Sequence, residues 1–274
     1  MVTMARRNVL RNAGWSEMAQ PNPSLLFSTG LEQQETGGEH VGREKLLDLL
    51  CKLVAPGVYK SSYESWEAGL KADPNTVVWN QTLAGRMVLG LGDENVLEAG
   101  LRFEQPYGMP TIPGSSVKGV FRSFVCDRYG EQPGSPWYPG DLKRRRRDQR
   151  TPDMGAAFRV VFGDFDEATY LQFFDARWVP GSNPDQNRRG SPFVRGILTC
   201  HHMDYYGGQN KPPADYDDPN PVSFLAVTGK FTFAVRGPNP SWAKRVSAGI
   251  QEALATQGIG GKTRTGFGVF EPVK

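Results

Sequence analysis

The sequence is poor in the residues that most often build metal centres and catalytic sites. Its 274 residues include only three cysteines and three histidines. The cysteines, Cys51, Cys126 and Cys200, are far apart and form no CxxC pair, which argues against a disulfide framework and a zinc knuckle. The sequence therefore predicts no metal site and no cofactor, and a catalytic centre built on histidines is hard to assemble.

Long apolar runs and a strong net charge are also missing. No stretch approaches the roughly 18 consecutive apolar residues that span a bilayer, so no membrane partner is predicted. The first residues do not resemble a signal peptide, and a reducing, cytoplasmic location is expected. The formal net charge is only +3. A nucleic-acid partner would therefore have to be indicated by clustered cations rather than by overall charge.

Glycine and proline, in contrast, are abundant, with 32 and 21 residues. They predict many turns and irregular loops around a modest regular core. Residues 1–40 show no hydrophobic period and are expected to be a poorly ordered or partner-dependent arm. Residues 41–274 are expected to form one domain with insertions at about 131–155 and 201–221.

Periodicity predicts helices and strands in an order typical of a ferredoxin-like fold. Helices are predicted at 44–54, 63–70, 115–128 and from Ser241 onward, and strands at 76–79, 86–91, 159–162, 171–174, 193–200, 222–235 and 263–273. We therefore predict an α+β protein with an RRM-like antiparallel sheet, helices on one face and large insertions. The other face of the sheet would be free to bind a ligand.

The first candidate site is a turn that opens a helix. Gly114, Ser115 and Ser116 follow a proline, and Ser115 or Ser116 is a natural N-cap. Free backbone N–H groups at such a helix start favour a phosphate, and Lys118 and Arg122 would extend the site along a nucleic-acid backbone. An ordinary capped helix with two solvated cations is the commoner outcome of this pattern.

The second candidate is the glycine-rich segment 258–268, GIGGKTRTGFG. It contains Gly-Lys-Thr, but a P-loop would need glycine where Thr256 stands, and it would precede a helix rather than follow one. A loop without side chains still allows a ligand close backbone approach. The candidate RNA-binding residues here are Gly258, Gly260, Gly261, Lys262, Thr263 and Arg264.

Two further clusters lie in the predicted insertions. A run of cations cannot bury itself and is expected to contact phosphates non-specifically; it comprises Arg144, Arg145, Arg146 and Arg147. A possible base-stacking or subunit-interface cluster comprises His201, His202, Tyr205 and Tyr206. Adjacent histidines on a strand point to opposite faces, which argues against a shared metal. Solvated surface loops remain the simpler alternative for both clusters.

Together these motifs resemble the RAMP proteins of CRISPR systems, and among them subunits of type III-B effector complexes. The matching stretches are 90–92 (GLG), 107–108 (YG), 112–122 (IPGSSVKGVFR), 161–164 (VFGD), 174–176 (FDA), 201–206 (HHMDYY), 212–213 (PP) and 258–268. The resemblance implies an RNA-binding backbone-like subunit that helps to hold the 3′ part of a guide RNA and the guide–target duplex. Its implied partners are guide RNA (crRNA), target RNA and other RAMP subunits.

The same resemblance leaves an enzymatic alternative open. Some RAMP relatives cleave guide precursors with a histidine, and His201 or His202 with Lys262 would be the candidates for a metal-independent endoribonuclease. No aspartate of this sequence can be matched to the loop aspartate that cleaves target RNA in the repeated backbone subunit. We therefore expect a non-catalytic subunit and assign no catalytic residue.

Overall fold

The computed structural model describes residues 21–31, 41–92, 100–140, 154–164, 166–200 and 220–273. Its helices are α1 (Pro23–Thr29), α2 (Val41–Lys52), α3 (Gly57–Ala72), α4 (Gly114–Tyr129), α5 (Ala156–Phe162) and α6 (Pro240–Thr256). None of these described helices is long and apolar enough to cross a membrane. Its strands are β1 (Thr76–Thr82), β2 (Phe103–Glu104), β3 (Met109–Ile112), β4 (Gln172–Phe173), β5 (Ala176–Trp178), β6 (Phe193–Cys200), β7 (Asn220–Val227) and β8 (Lys230–Arg236).

The main sheet is antiparallel and has the order β1-β8-β5-β3-β2, with β4 also pairing with β8. Strands β6 and β7 form a separate two-stranded sheet that packs against α2. This mixture of an antiparallel sheet and packed helices confirms the predicted α+β class.

Strand β8 shows how the core is built around the sheet. Five of its seven residues are buried, although neighbouring side chains point to opposite faces. Phe231 and Phe233 pack on Phe270, whose backbone N–H bonds to Leu254 of α6 at 3.1 Å. On the other face, the hydroxyls of Thr232 and of Tyr63 in α3 are 2.6 Å apart. The face that was expected to be free is therefore covered by α3 at this strand.

Two predicted strands are irregular segments that bind each other. Residues 86–91 form only an isolated bridge, from Met87 to Val227, and 263–273 form only the bridge from Leu83 to Phe270 and a short 3₁₀ turn, Thr263–Thr265. Glycines with positive φ interrupt the second segment. The carbonyls of Arg86 and Val88 accept hydrogen bonds from the glycine-rich segment, whereas Met87 between them pairs with Val227 of β7.

The predicted strand at 159–162 is also wrong, because these residues form the end of α5. Ala157, Phe158, Val161 and Phe162 are buried there. Their spacing of one, three and one residues matches one face of a helix. Packing of that face therefore overrides the β preference of the valines and phenylalanines.

The described part of the predicted N-terminal arm, residues 21–31, contains the helix α1. The Asn22 side chain caps it by accepting hydrogen bonds from Ser24 and Leu25. Leu26 and Phe27 are buried in the main hydrophobic core, and Phe27 contacts Phe103 with ring centroids 5.3 Å apart. Within residues 21–31, α1 thus packs into the main hydrophobic core, and the remainder of the predicted arm lies outside the described residues.

Candidate nucleic-acid groove

An open groove of about 690 Å³ lies between one face of α4 and the glycine-rich segment 258–268. We call it the α4–loop groove. Its lining residues are Ser116, Gly119, Val120, Ser123 and Asp127 from α4, and Thr256, Gln257, Gly258, Ile259, Gly260, Thr263 and Arg264 from the end of α6 and the loop. The structure thus brings together the two segments that the sequence singled out, which are more than 130 residues apart.

The wall from α4 is made of small residues. Ser116, Gly119 and Ser123 are exposed and are spaced three and four residues apart, so they share one helix face. Such a surface permits close approach of a ligand backbone and offers hydroxyl donors. Sequence reasoning missed Gly119 and Ser123, although their spacing from Ser116 was a visible signal.

The opposite wall is held in place by glycines that pack against neighbouring backbone too closely for any side chain. Gly260 has φ of 99°, and a Cβ there would overlap the carbonyl oxygen of Val88. Next to it, the N–H of Gly261 bonds to the same oxygen at 2.8 Å. The N–H of Gly268 bonds to the carbonyl of Arg86, also at 2.8 Å. These glycines therefore anchor the loop on residues 86–88.

Lys262 is the one described non-glycine residue with positive φ, at 59°. Its carbonyl accepts hydrogen bonds from the N–H and the hydroxyl of Thr265, at 3.0 and 2.8 Å, and lies 3.4 Å from the N–H of Phe267. The turn therefore holds a conformation that costs about 1 kcal/mol or more for such a residue. Lys262 and Arg264 are exposed, and neither forms an ion pair with a described residue.

The N-terminus of α4 is arranged differently from the prediction. The cap residue is Pro113, and neither Ser115 nor Ser116 caps the helix with its side chain. Instead, the carboxylate of Asp175 accepts a hydrogen bond from the N–H of Gly114 at 2.7 Å. A carboxylate of the chain thus satisfies the helix start where a phosphate was predicted.

Lys118 and Arg122 lie on a different face of α4 from the groove. The ammonium group of Lys118 donates to the carbonyl of Phe162, at the end of α5, at 3.1 Å. Burial and then the nearby Arg122 guanidinium lower the pKa of Lys118. Arg122 lies over the ring of Phe158, 5.8 Å from its centroid. Both cations therefore join α4 to α5, and the structure does not bring them to the glycine-rich loop.

Several predicted residues lie outside the described part of the chain. These are Arg144, Arg145, Arg146 and Arg147 in one insertion, and His201, His202, Tyr205 and Tyr206 in the other. Strands β6 and β7 end on either side of the second insertion, at Cys200 and Asn220. The cationic and aromatic clusters stay predictions.

The groove lining also includes a negative charge. The carboxylate of Asp127 accepts a hydrogen bond from the Gln257 side chain at 2.7 Å, which ties α4 to the end of α6. Arg264 also lines the groove. An extended anion would therefore be attracted to Arg264 and repelled near Asp127.

Comparison with known proteins shows the class of protein to which the chain belongs. The sequence model of the RAMP superfamily matches residues 78–271, which include both walls of the groove, and the chain belongs to that superfamily. The resemblance seen in the motifs is thus confirmed.

The particular proteins that the chain resembles are Cmr6 subunits. It is 28% identical over 268 residues to the CRISPR system Cmr subunit Cmr6 of Pyrococcus furiosus, covering 82% of this chain and 77% of that protein. It is 22% identical over 219 residues to the Cmr6 subunit of Saccharolobus solfataricus, covering 77% of this chain and 63% of the relative.

A solved structure shares the fold. A chain in the cryo-EM structure of the Type III-B Cmr-beta complex bound to cognate target RNA superposes with a TM-score of 0.58. The two chains are 18% identical, and the match covers 99% of this chain and 87% of the other. The similarity therefore spans nearly all of this chain, including the residues before the RAMP match.

Proposed function

We propose that this chain is an RNA-binding structural subunit of a type III-B CRISPR effector complex. It would help to hold the 3′ part of the guide RNA and the guide–target duplex beside other RAMP subunits. Support comes from membership of the RAMP superfamily, from the similarity to two Cmr6 subunits, and from the shared fold with a chain of a target-bound type III-B complex.

The observation that carries the proposal is the composition of the α4–loop groove. One wall presents small residues and hydroxyls, and the other presents a glycine-rich backbone with Lys262 and Arg264 exposed at its tip. Phosphates of a single strand need close approach and cations rather than pockets for particular bases. Base pairing by the guide supplies sequence specificity, so the protein contributes shape and charge.

We further propose that the subunit is not itself a nuclease. In the described residues no group of three histidines, cysteines or carboxylates is placed to hold a metal ion. The groove contributes one carboxylate, Asp127, which is bonded to Gln257. Cleavage of guide precursor by the purified subunit, abolished by His202→Ala, would instead establish the endoribonuclease alternative.

The direct test of RNA binding is a salt titration with a labelled single-stranded RNA. Each lost phosphate contact reduces the slope of log K against log salt by about 0.7. The double substitution Lys262→Ala with Arg264→Ala should therefore flatten the slope by about 1.4. The matched control is Lys60→Ala with Lys71→Ala, which removes the same charge from α3. Equal slopes for the two double variants would overturn the assignment of the groove.

A further inference from the structure

Three arginines outside the α4–loop groove are exposed and have no acidic partner among the described residues. They are Arg86, Arg188 and Arg189. Within the described residues, none of them forms an ion pair. Guanidinium groups recognise phosphate through two parallel hydrogen bonds, so unpaired arginines are well suited to an RNA backbone.

Two hydrogen bonds join the segments that carry these arginines. Thr228 is the link, because its N–H bonds to the carbonyl of Pro192 at 2.9 Å and its hydroxyl bonds to the carbonyl of Gly85 at 3.2 Å. The residue after Gly85 is Arg86, and the loop before Pro192 carries Arg188 and Arg189. The segment at Gly85 and the segment at Pro192, more than 100 residues apart in the sequence, are thus joined by Thr228.

The loop that carries Arg188 and Arg189 is firmly held. The buried side chain of Asn183 donates to the carbonyl of Ser191 at 2.7 Å, and the Ser191 hydroxyl donates to Cys51 of α2 at 3.2 Å. A third bond joins the N–H of Ala55 to the carbonyl of Gly190 at 2.7 Å. A loop fixed at both ends in this way presents its cations with little loss of backbone entropy on binding.

The neighbouring acidic side chains are already engaged. Arg195 forms ion pairs with Glu44 at 2.6 Å and with Asp48 at 2.8 Å. The Asp185 carboxylate accepts a hydrogen bond from the N–H of Asn187 at 3.0 Å. Burial raises the pKa of the Cys51 thiol, whereas the charges of Arg188, Arg195 and Arg86 lower it.

Arg86 also adjoins the glycine-rich loop. The carbonyl of Arg86 accepts the hydrogen bond from Gly268, and two residues further on Val88 accepts the bond from Gly261. An RNA strand that leaves the glycine-rich loop near Gly268 would therefore meet the segment of Arg86, which Thr228 joins to the Arg188 loop. This continuity favours RNA over an acidic protein surface as the partner.

We propose that Arg86, Arg188 and Arg189 form a second RNA-binding surface, which binds phosphates of the same strand that lies in the α4–loop groove. The proposal rests on the proposed function and adds three contacts to it. RNA long enough to cover both surfaces should bind with a steeper salt dependence than RNA that covers the groove alone.

The test is a salt titration of the full chain with two unstructured RNA probes, of 8 and of 30 nucleotides. The triple variant Arg86→Ala, Arg188→Ala, Arg189→Ala should flatten the slope for the long probe by about 2 and leave the short probe unchanged. The triple Arg→Lys variant keeps the charge and should retain most of the slope. Lys60→Ala, Lys71→Ala and Lys244→Ala together remove the same charge from α3 and α6 as a control.

The outcomes separate the two proposals. If the groove variant flattens the slope and the arginine variant does not, the second surface is wrong and the proposed function stands. If the arginine variant instead loses assembly with neighbouring subunits at an unchanged RNA slope, the partner of this surface is protein and the proposal is overturned. If the wild-type chain binds neither probe, the proposed function fails and this surface fails with it.

Discussion

The carboxylate of Asp175 accepts a hydrogen bond from the backbone N–H of Gly114, the first residue of α4, at 2.7 Å. The two residues are 61 positions apart, and the contact joins the turn between β4 and β5 to the start of the helix. It places a negative charge at the positive end of the helix dipole. The proposed phosphate contacts are therefore those of the glycine-rich loop rather than of this helix start.

Removing that carboxylate should weaken the fold without weakening RNA binding. Asp175→Ala should reduce the free energy of unfolding by about 1 kcal/mol, a typical cost for a lost cap. Asp175→Asn keeps an acceptor and should cost less, and Ser115→Ala should be nearly neutral because Ser115 does not cap the helix. Chemical denaturation measures all three. A larger loss for Ser115→Ala than for Asp175→Ala would contradict this assignment.

Lys118→Ala should also affect stability more than RNA binding. The ammonium group of Lys118 bonds to the carbonyl of Phe162. Losing a partly exposed, charged hydrogen bond should cost about 1 kcal/mol and lower the melting temperature by about 2–4 °C. Lys118→Met keeps most of the apolar side chain and removes the ammonium group. Comparing it with Lys118→Ala therefore distinguishes the loss of the charged hydrogen bond from the loss of packing. An unchanged melting temperature with a flattened RNA salt slope would restore Lys118 as an RNA contact.

Lys262 offers a comparison that separates charge from backbone strain. Lys262→Ala and Lys262→Gly remove the same charge and should flatten the RNA salt slope equally, by about 0.7. Only glycine relieves the positive φ, so Lys262→Gly should be more stable than Lys262→Ala by about 1 kcal/mol. Denaturation and RNA titration of the pair measure the two effects. Equal stabilities would show that the turn is not strained.

Replacing a loop glycine with alanine should destabilise the fold wherever the added Cβ would overlap a backbone atom. Gly260→Ala forces both a positive φ and an overlap with the carbonyl of Val88, and should cost about 3 kcal/mol. Gly92→Ala is the control, since a Cβ there meets no atom within 4 Å. Thermal unfolding of both variants checks the prediction. Similar melting temperatures would mean that the loop does not dock on residues 86–88.

The fold class was predictable because the spacing of apolar residues indicates which segments are helices and which are strands. The helix at 115–128 has apolar residues at helical spacing, and the structure has Gly114–Tyr129 there. The same rule failed at 159–162, where valines and phenylalanines favour a strand in isolation but bury one face of a short helix. Residues 86–91 also look like a strand, yet the carbonyls of Arg86 and Val88 bind the glycine-rich loop, and no local signal shows such a partner.

Of the groove lining, the sequence indicated the glycine-rich wall and Ser116 on the opposite wall. The GIGGKTRTG pattern indicated a loop with close backbone approach, and the structure places Gly258, Gly260, Thr263 and Arg264 on one groove wall. The side chain of Lys118 points toward α5 because its ammonium group bonds to the carbonyl of Phe162 there. This helix lies more than 30 residues further along the chain. Tertiary contacts of that kind decide which face of a helix is free, and a single sequence does not record them.

The most direct test of RNA in the α4–loop groove is cross-linking within the assembled effector complex. A photoreactive residue replaces Thr263, which lines the groove, and in a second sample replaces Glu64, which lies on α3. The account predicts that position 263 cross-links to the guide RNA, within its 3′ part, and that position 64 does not. Cross-links from position 263 to protein alone, with the guide bound in the complex, would contradict it.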